Sequence, residues 1–198
     1  MSPWNKNKSV GQKKPLTPKE VRLLKDILKS KKLIRDLALL SLGLDTMLRA
    51  GDLLKLLVLD VLNHKGEIRD EIIMKQQKTK ESHIVIISDE TKQYLLWLIK
   101  NSNKYEDDYL FSSKDCNKSM SVRWYRELVK SWVRMIGLDS KLYSTHSLRR
   151  TRASLIYRKT GNIEAVRLLL GQKSVVSTSN YLNLDKQEAL KIGREFLV

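Results

Sequence analysis

Four short and widely separated segments carry two arginines, a lysine, a histidine and a tyrosine that could converge on one phosphate. These residues are Arg49, Lys78, His146, Arg149 and Tyr181. Arginine offers a fork of N–H donors that fits phosphoryl oxygens, lysine and histidine can move protons, and a tyrosine hydroxyl can act as a nucleophile. The combination indicates phosphodiester chemistry, although each segment taken alone also has an ordinary structural interpretation.

Arg49 follows an apolar helix and precedes an apolar turn of helix. A guanidinium lodged between core segments needs an anionic partner because it cannot lose its charge. A plain ion pair with Asp45 or Asp52 meets that need, and for this segment alone it is the better interpretation.

The other segments have similar alternatives. Lys78 falls on a polar turn between two predicted strands, where most lysines are simply solvated. His146 and Arg149 share one face near the start of a predicted helix, which is a natural phosphate site, but a capping histidine beside a surface arginine fits as well. Tyr181 could be an ordinary packing residue.

The elements that must position these residues are mostly helices. Thr17 and Glu20 form a capping-box pattern around Pro18, which predicts that the first helix begins there. Between about 67 and 87 the apolar residues alternate instead, which predicts a small antiparallel sheet with a polar turn. The remaining predicted helices cover about 33–47, 89–100, 121–136 and 147–159, with a short one between Asn162 and Gly171 and two short ones after Ser174. The predicted fold class is therefore α+β, mainly helical with one small antiparallel sheet.

The charge balance points to a polyanionic partner. Lysine and arginine number 38 against 22 acidic residues, so the formal net charge is +16. Each phosphate that binds such a surface releases condensed counterions, which makes nucleic acid the expected partner. The charge is spread along the chain and no apolar run approaches the roughly 18 residues of a membrane span, so we expect no membrane partner.

Composition also limits other kinds of site. Cys116 is the only cysteine, which excludes an intrachain disulfide and a cysteine-based metal cage.

The N-terminus is charged and lacks the apolar stretch of a secretory signal, so we expect a cytoplasmic protein. Residues 1–16 read as a flexible basic arm, either a disordered tail or a DNA-tracking arm, and residues 17–198 as one domain.

In this order and in these local contexts, the segments resemble the catalytic domain of the tyrosine recombinase and phage integrase family. The resemblance runs from about Thr17 to the C-terminus. Its counterparts here are Arg49 with Asp52, Lys78 on the hairpin, His146-Ser147-Leu148-Arg149, and Leu170-Gly171-Gln172 with Tyr181 nine residues after the glutamine. One departure is clear, because Gln172 stands where most of the family has histidine or sometimes tryptophan. Glutamine can donate a hydrogen bond but cannot carry a proton.

The resemblance implies a role for each residue. Tyr181 would attack a DNA phosphate to form a 3′-phosphotyrosyl bond, and Arg49 and Arg149 would clamp the phosphoryl oxygens. Lys78 would protonate the leaving 5′ oxygen, while His146 assists proton transfer or holds the phosphate. Gln172 would add a hydrogen-bond donor. The implied partners are double-stranded DNA and further copies of the chain on that DNA, with no cofactor and no metal.

Three alternatives remain open at the level of sequence. Gln172 motivates a catalytically degenerate relative that serves as a DNA-binding accessory protein. A type IB topoisomerase shares the chemistry without exchanging strands between partners. A helical DNA-binding module of another kind would make the motif matches accidental.

Overall fold

The chain is helical except for one pair of strands in the parts that the structure describes. The computed structural model describes residues 12–76, 82–113, 118–182 and 194. Its elements, in chain order, are α1 (Pro18–Ser30), α2 (Ile34–Thr46), α3 (Ala50–Leu53), α4 (Val58–Val61), β1 (Glu71–Lys75), β2 (Ser82–Ile86), α5 (Asp89–Lys100), α6 (Val122–Met135), α7 (Thr145–Thr160), α8 (Ile163–Leu169) and α9 (Val175–Leu182). None of the described helices is both long and apolar enough to cross a membrane.

The first helix begins as its sequence predicts. The Thr17 hydroxyl accepts a hydrogen bond from the Glu20 backbone N–H at 3.3 Å, and the Glu20 carboxylate accepts one from the Thr17 N–H at 2.7 Å. Pro18 occupies the first helical position, where its missing N–H costs nothing. The predicted capping box is confirmed, and α1 presents Leu24 and Leu28 to the core.

Helix α2 runs through the middle of the main core and contacts α1, α5, α7 and β2. Every residue from Leu37 to Leu44 is buried, so this helix is apolar on all sides. Its one acidic residue in this environment, Asp36, accepts a hydrogen bond from the Trp132 indole of α6 at 2.9 Å. That bond joins two buried side chains across the core.

Strands β1 and β2 form the predicted antiparallel sheet. Ile72 pairs with Val85 on the face that packs on the core, and Ile73 pairs with Ile84 on the exposed face. The alternation of burial along both strands follows from the period of two in a pleated strand. Lys78 belongs to the segment between them, residues 77–81, which lies outside the described residues.

A second and smaller hydrophobic cluster joins α7, α8 and α9. Its buried members are Met47, Ala153, Val166, Leu170 and Leu182, and Tyr181 packs against it. Gly161 ends α7 with a φ of +64°, as its position predicts, and Asn162 caps α8. Of the two short helices predicted after Ser174, α9 is confirmed, whereas the second falls outside the described residues except at Arg194.

Residues 12–16, the end of the predicted basic arm, lie against the rest of the domain. The Lys14 N–H donates to the Leu142 carbonyl at 2.9 Å, and Leu16 is buried. Residues 1–11 lie outside the described residues, so the arm and its boundary stay predictions.

The Asp36–Trp132 bond generates a stability prediction. Replacing Trp132 with Phe opens a cavity and leaves one oxygen of a buried carboxylate without its donor, so we expect a loss of roughly 2 to 4 kcal/mol in the free energy of unfolding. Trp124→Phe is the matched control, because Trp124 lies on the same helix but is 54% exposed. Urea unfolding of both variants measures the difference, and equal stability losses would contradict the assigned role of the buried bond.

Candidate active site

Arg149 is a buried arginine at the junction of three helices. Its side chain projects from α7 with 3% exposure and donates to the Met47 carbonyl at the end of α2 and, at 2.6 Å, to the Leu170 carbonyl at the end of α8. Burial lowers the pKa of the guanidinium to about 10, while the nearby Tyr181 and Asp52 oppose that shift. The group stays charged at neutral pH and is fixed in place by two main-chain acceptors.

Arg49 reaches the same site from the turn between α2 and α3. Met47, with a φ of +50°, ends α2 in a left-handed conformation and redirects the chain so that Arg49 becomes the N-cap residue of α3. Its guanidinium donates to the Gln76 amide oxygen at 2.5 Å and lies 4.0 Å from the Asp52 carboxylate. Of the two acidic neighbours considered from sequence, Asp52 is the one nearby, since Asp45 instead accepts bonds from Ser88.

The hairpin is held to the α8–α9 turn by two residues that sequence reasoning missed. The Gln76 side chain is buried and lies against Gly171, whose backbone adopts a φ of +57°. The His83 ring lies 3.1 Å from the Leu169 carbonyl through Nε2. Burial lowers the pKa of His83, so the ring is neutral and carries its proton on Nε2, because a carbonyl can only accept. No short motif marks these residues, since their partners are remote in sequence.

His146 lies in the first turn of α7 with an exposed side chain, while Ser144 caps the helix. The capping-histidine alternative is therefore wrong, and so is the surface arginine that accompanied it, because Arg149 is buried. The pKa of His146 is lowered, first by desolvation among the surrounding protein groups and then by the charges of Arg149 and other arginines. At neutral pH the ring is neutral and can accept a proton.

Tyr181 brings a hydroxyl to the two arginines from α9. Its ring centroid is 6.0 Å from the Arg149 guanidinium carbon, and its hydroxyl lies 3.4 Å from the His146 carbonyl. Burial raises the pKa of the phenol to about 12, and the charges of Arg149 and Arg150 act in the opposite direction. The ring packs on the smaller core as well, so the packing interpretation of Tyr181 is correct but incomplete.

Gln172 follows Gly171 in the turn between α8 and α9. Its amide oxygen accepts a hydrogen bond from the buried Thr178 hydroxyl at 2.7 Å, and its backbone carbonyl accepts one from Arg167 at 2.5 Å. No described residue accepts a bond from its amide nitrogen. The side chain is thus oriented as a donor, while the neighbouring Lys173 is exposed.

The structure brings together Arg49, His146, Arg149 and Tyr181, with Gln172 on the adjoining turn, although they come from distant parts of the chain. Two guanidinium groups can bind and polarise an oxyanion, and a phenol beside them can supply a nucleophilic oxygen. Lys78 lies outside the described residues, so its predicted place at this site stays a prediction.

Similarity to known proteins extends over most of the chain. The sequence pattern of the phage integrase family matches residues 14–188. The probable integrase/recombinase YoeC of Bacillus subtilis is 29% identical over 153 residues, which are 77% of this chain and 79% of that relative. The tyrosine recombinase XerA of Saccharolobus solfataricus is 34% identical over 171 residues, which are 84% of this chain and 53% of the relative. The chain spans about half the length of XerA and of several other curated relatives that it matches.

Solved structures show the same fold. A crystal structure of XerA recombinase matches with a TM-score of 0.75 at 23% identity, covering 93% of this chain and 65% of that one. The XerH site-specific recombinase bound to its difH substrate matches with a TM-score of 0.73 at 20% identity, covering 94% of this chain and 56% of the other. The predicted α+β fold class is confirmed.

The close approach of Gly171 to Gln76 generates a second stability prediction. A Cβ on Gly171 would lie 2.1 Å from the Gln76 amide nitrogen, and the left-handed φ adds strain. We expect Gly171→Ala to cost about 2 to 4 kcal/mol of unfolding free energy. Gly161→Ala is the control, because Gly161 has a similar φ but no atom within 4 Å of the added carbon, and it should cost about 1 to 2 kcal/mol.

A double-mutant cycle separates the clash from the strain. In a Gln76→Ala background, Gly171→Ala should lose most of its extra cost over Gly161→Ala, because the two Gln76 atoms that it meets are gone and only His83 Nδ1 remains close, at 3.1 Å. Urea unfolding of the four proteins gives the coupling energy. An undiminished cost in that background would place the clash elsewhere.

Proposed function

The chain belongs to the phage integrase family, and on that premise we propose that it is the catalytic domain of a site-specific DNA recombinase with Tyr181 as its nucleophile. The observation that carries the proposal is the approach of Tyr181 to within 6.0 Å of the buried Arg149 guanidinium. A phenol that attacks an anionic phosphate needs a cationic group beside it, and Arg149 places one there.

In the proposed reaction the Tyr181 oxygen attacks a DNA phosphorus atom. A phosphorus–oxygen bond to the tyrosine forms as the bond to the 5′ oxygen breaks, which leaves a 3′-phosphotyrosyl adduct and a 5′-hydroxyl. Arg149 uses two of its five N–H groups on carbonyls, so others remain for the non-bridging oxygens. Arg49 binds the same oxygens from the more exposed side, and the two charges stabilise the transition state.

The proton transfers are assigned to three residues. Because the pKa of Tyr181 is raised to about 12, its hydroxyl is protonated at neutral pH and must lose a proton as it attacks. The neutral His146 ring can accept that proton or hold the phosphate, and Lys78 would protonate the leaving 5′ oxygen. Rejoining reverses these steps with a different 5′-hydroxyl, so the phosphodiester energy is conserved and no ATP is consumed.

Double-stranded DNA is the proposed substrate, and several copies of the chain are proposed to act together on it. The net charge of +16 supports DNA binding. Among the structural neighbours, XerH is bound to difH and a lambda integrase dimer is bound to a core site. A substrate of this kind also supports the proposed cytoplasmic location.

A catalytically degenerate DNA-binding protein is the second candidate, because Gln172 replaces the usual histidine. The bond from Thr178 leaves the glutamine amide as a donor, which favours an enzyme that needs a hydrogen bond there and not a proton. Covalent trapping separates the two candidates.

We expect the protein to form a covalent adduct on a pool of duplexes with a randomised centre and a nick that lets the 5′-hydroxyl fragment escape. Tyr181→Phe removes the attacking oxygen and should abolish the adduct. Tyr157→Phe is the control, because Tyr157 packs against the same small core from α7, and it should retain the adduct. Denaturing gels measure the yield, and mass spectrometry of the nucleotide-bearing peptide locates the bond. Adduct on any residue other than Tyr181, or none with the unaltered protein, would refute the proposal.

The lowered pKa of His146 predicts the acid side of the pH profile. A group with a lowered pKa stays neutral to more acidic pH, so the rate of adduct formation should hold near neutral pH and fall only below the ordinary histidine pKa of about 6.5. His146→Gln should lower the rate and remove this acid limb. His83→Asn tests the other histidine with a lowered pKa and should keep the limb. Single-turnover rates at constant ionic strength measure both, and an unchanged limb in His146→Gln would assign it to another group.

A further inference from the structure

We propose that Arg150 is a positioning residue for Tyr181 and that it couples the nucleophile to residues 12–16. The inference rests on the proposed function, in which Tyr181 attacks DNA. Arg150 follows Arg149 on α7, and nothing in the proposed chemistry uses it.

Arg150 approaches the tyrosine ring more closely than Arg149 does. Its guanidinium carbon is 5.6 Å from the ring centroid of Tyr181, compared with 6.0 Å for Arg149. The side chain is only 6% exposed, and its Nε is buried without a hydrogen-bond acceptor among the described residues. A buried cation held in this way gains from the aromatic face, which favours one orientation of the ring.

The other end of the Arg150 guanidinium is held by the segment 12–16. Its Nη1 donates to the Lys13 carbonyl at 2.7 Å. The Gln12 amide donates to the carbonyl of Asn180, the residue before Tyr181, at 2.6 Å. The Leu16 N–H donates to the Thr151 hydroxyl at 2.9 Å, one residue after Arg150 on α7. The segment 12–16 therefore contacts both α9, which carries Tyr181, and α7, which carries Arg149 and Arg150.

This arrangement assigns different tasks to two adjacent arginines. Arg149 is bonded to the carbonyls of Met47 and Leu170, and the proposed function uses its remaining N–H groups for the phosphate. Arg150 is bonded to the Lys13 carbonyl and lies beside the Tyr181 ring, so it links that ring to the segment 12–16. A displacement of that segment would move Lys13 and Asn180 together and reorient the tyrosine, while the hydrogen bonds of Arg149 to the Met47 and Leu170 carbonyls stay as they are.

The kinetic test compares Arg150→Gln with Arg152→Gln. Arg152 lies on the same helix, is partly buried and donates to the Asp45 carbonyl, away from the tyrosine. Arg150→Gln should slow single-turnover adduct formation about thirtyfold, the rate equivalent of one desolvated cation–π contact. Its affinity for nicked duplex in gel-shift titrations should stay within about twofold, because the interaction lost is to the ring and not to substrate. Arg152→Gln should leave both quantities within the same margin.

Arg150→Lys restores the charge without the fork and should recover part of the rate. A loss of DNA affinity as large as the loss of rate in Arg150→Gln would make Arg150 a DNA contact and overturn the inference. So would equal effects of Arg150→Gln and Arg152→Gln on the rate.

A second measurement needs no activity. In protein labelled with ¹³C at the tyrosine rings, the Tyr181 signal is identified by its loss in Tyr181→Phe. It should shift in Arg150→Gln and, with little risk to folding, in Gln12→Ala, whereas Arg152→Gln should leave it in place. The other tyrosine signals report whether each variant is folded. A Tyr181 signal that is unmoved in Gln12→Ala and Arg150→Gln overturns the coupling, even if the unaltered protein forms no adduct and the proposed function fails separately.

Discussion

The site depends on how the buried charge of Arg149 is accommodated. A guanidinium removed from water is costly unless its N–H groups find acceptors, and here the acceptors are main-chain carbonyls at the ends of α2 and α8. Those carbonyls are among the groups that helix ends leave without intrahelical partners. These two hydrogen bonds therefore stabilise the buried charge, provide donors for two helix ends and fix the distance between those ends. Arg152 adds a bond to the Asp45 carbonyl, so α7 holds the end of α2 at two points.

The two hydrophobic cores position different parts of the site around Arg149. The larger core surrounds α2 and holds the turn from which Arg49 emerges, and the Asp36–Trp132 bond crosses it. The smaller core carries α9 and Tyr181 on α7 and α8. Few buried residues make up the smaller core, so the apolar packing that holds the tyrosine is limited. Polar contacts from Arg149, Arg150 and the segment 12–16 supply the rest of its orientation.

Local signals in the sequence located most elements. The Thr17–Glu20 capping box, the alternating isoleucines of the hairpin and the glycine after α7 each specify structure through neighbours in the chain, and each prediction is confirmed. Helix α7 begins slightly earlier than predicted because the cap is Ser144, which bonds to the His146 N–H. The short helix α4 carried too few periodic residues to be recognised.

The residue types and their order were sufficient to identify the family, because four matched segments in sequence are rarely accidental. The sequence did not predict which residues contact the site residues in the folded protein. These contacts join Gln76 to Gly171, His83 to Leu169, and Arg150 to Lys13 and Tyr181. Neither the periodicity nor the spacing of the residues predicts them. The sequence by itself determined which groups could do phosphate chemistry and which helices and strands carry them. Only the tertiary structure decided that Arg149 is buried against two carbonyls and that Arg150 faces the tyrosine, because such contacts arise from the packing of whole helices and not from the residues beside them in the chain.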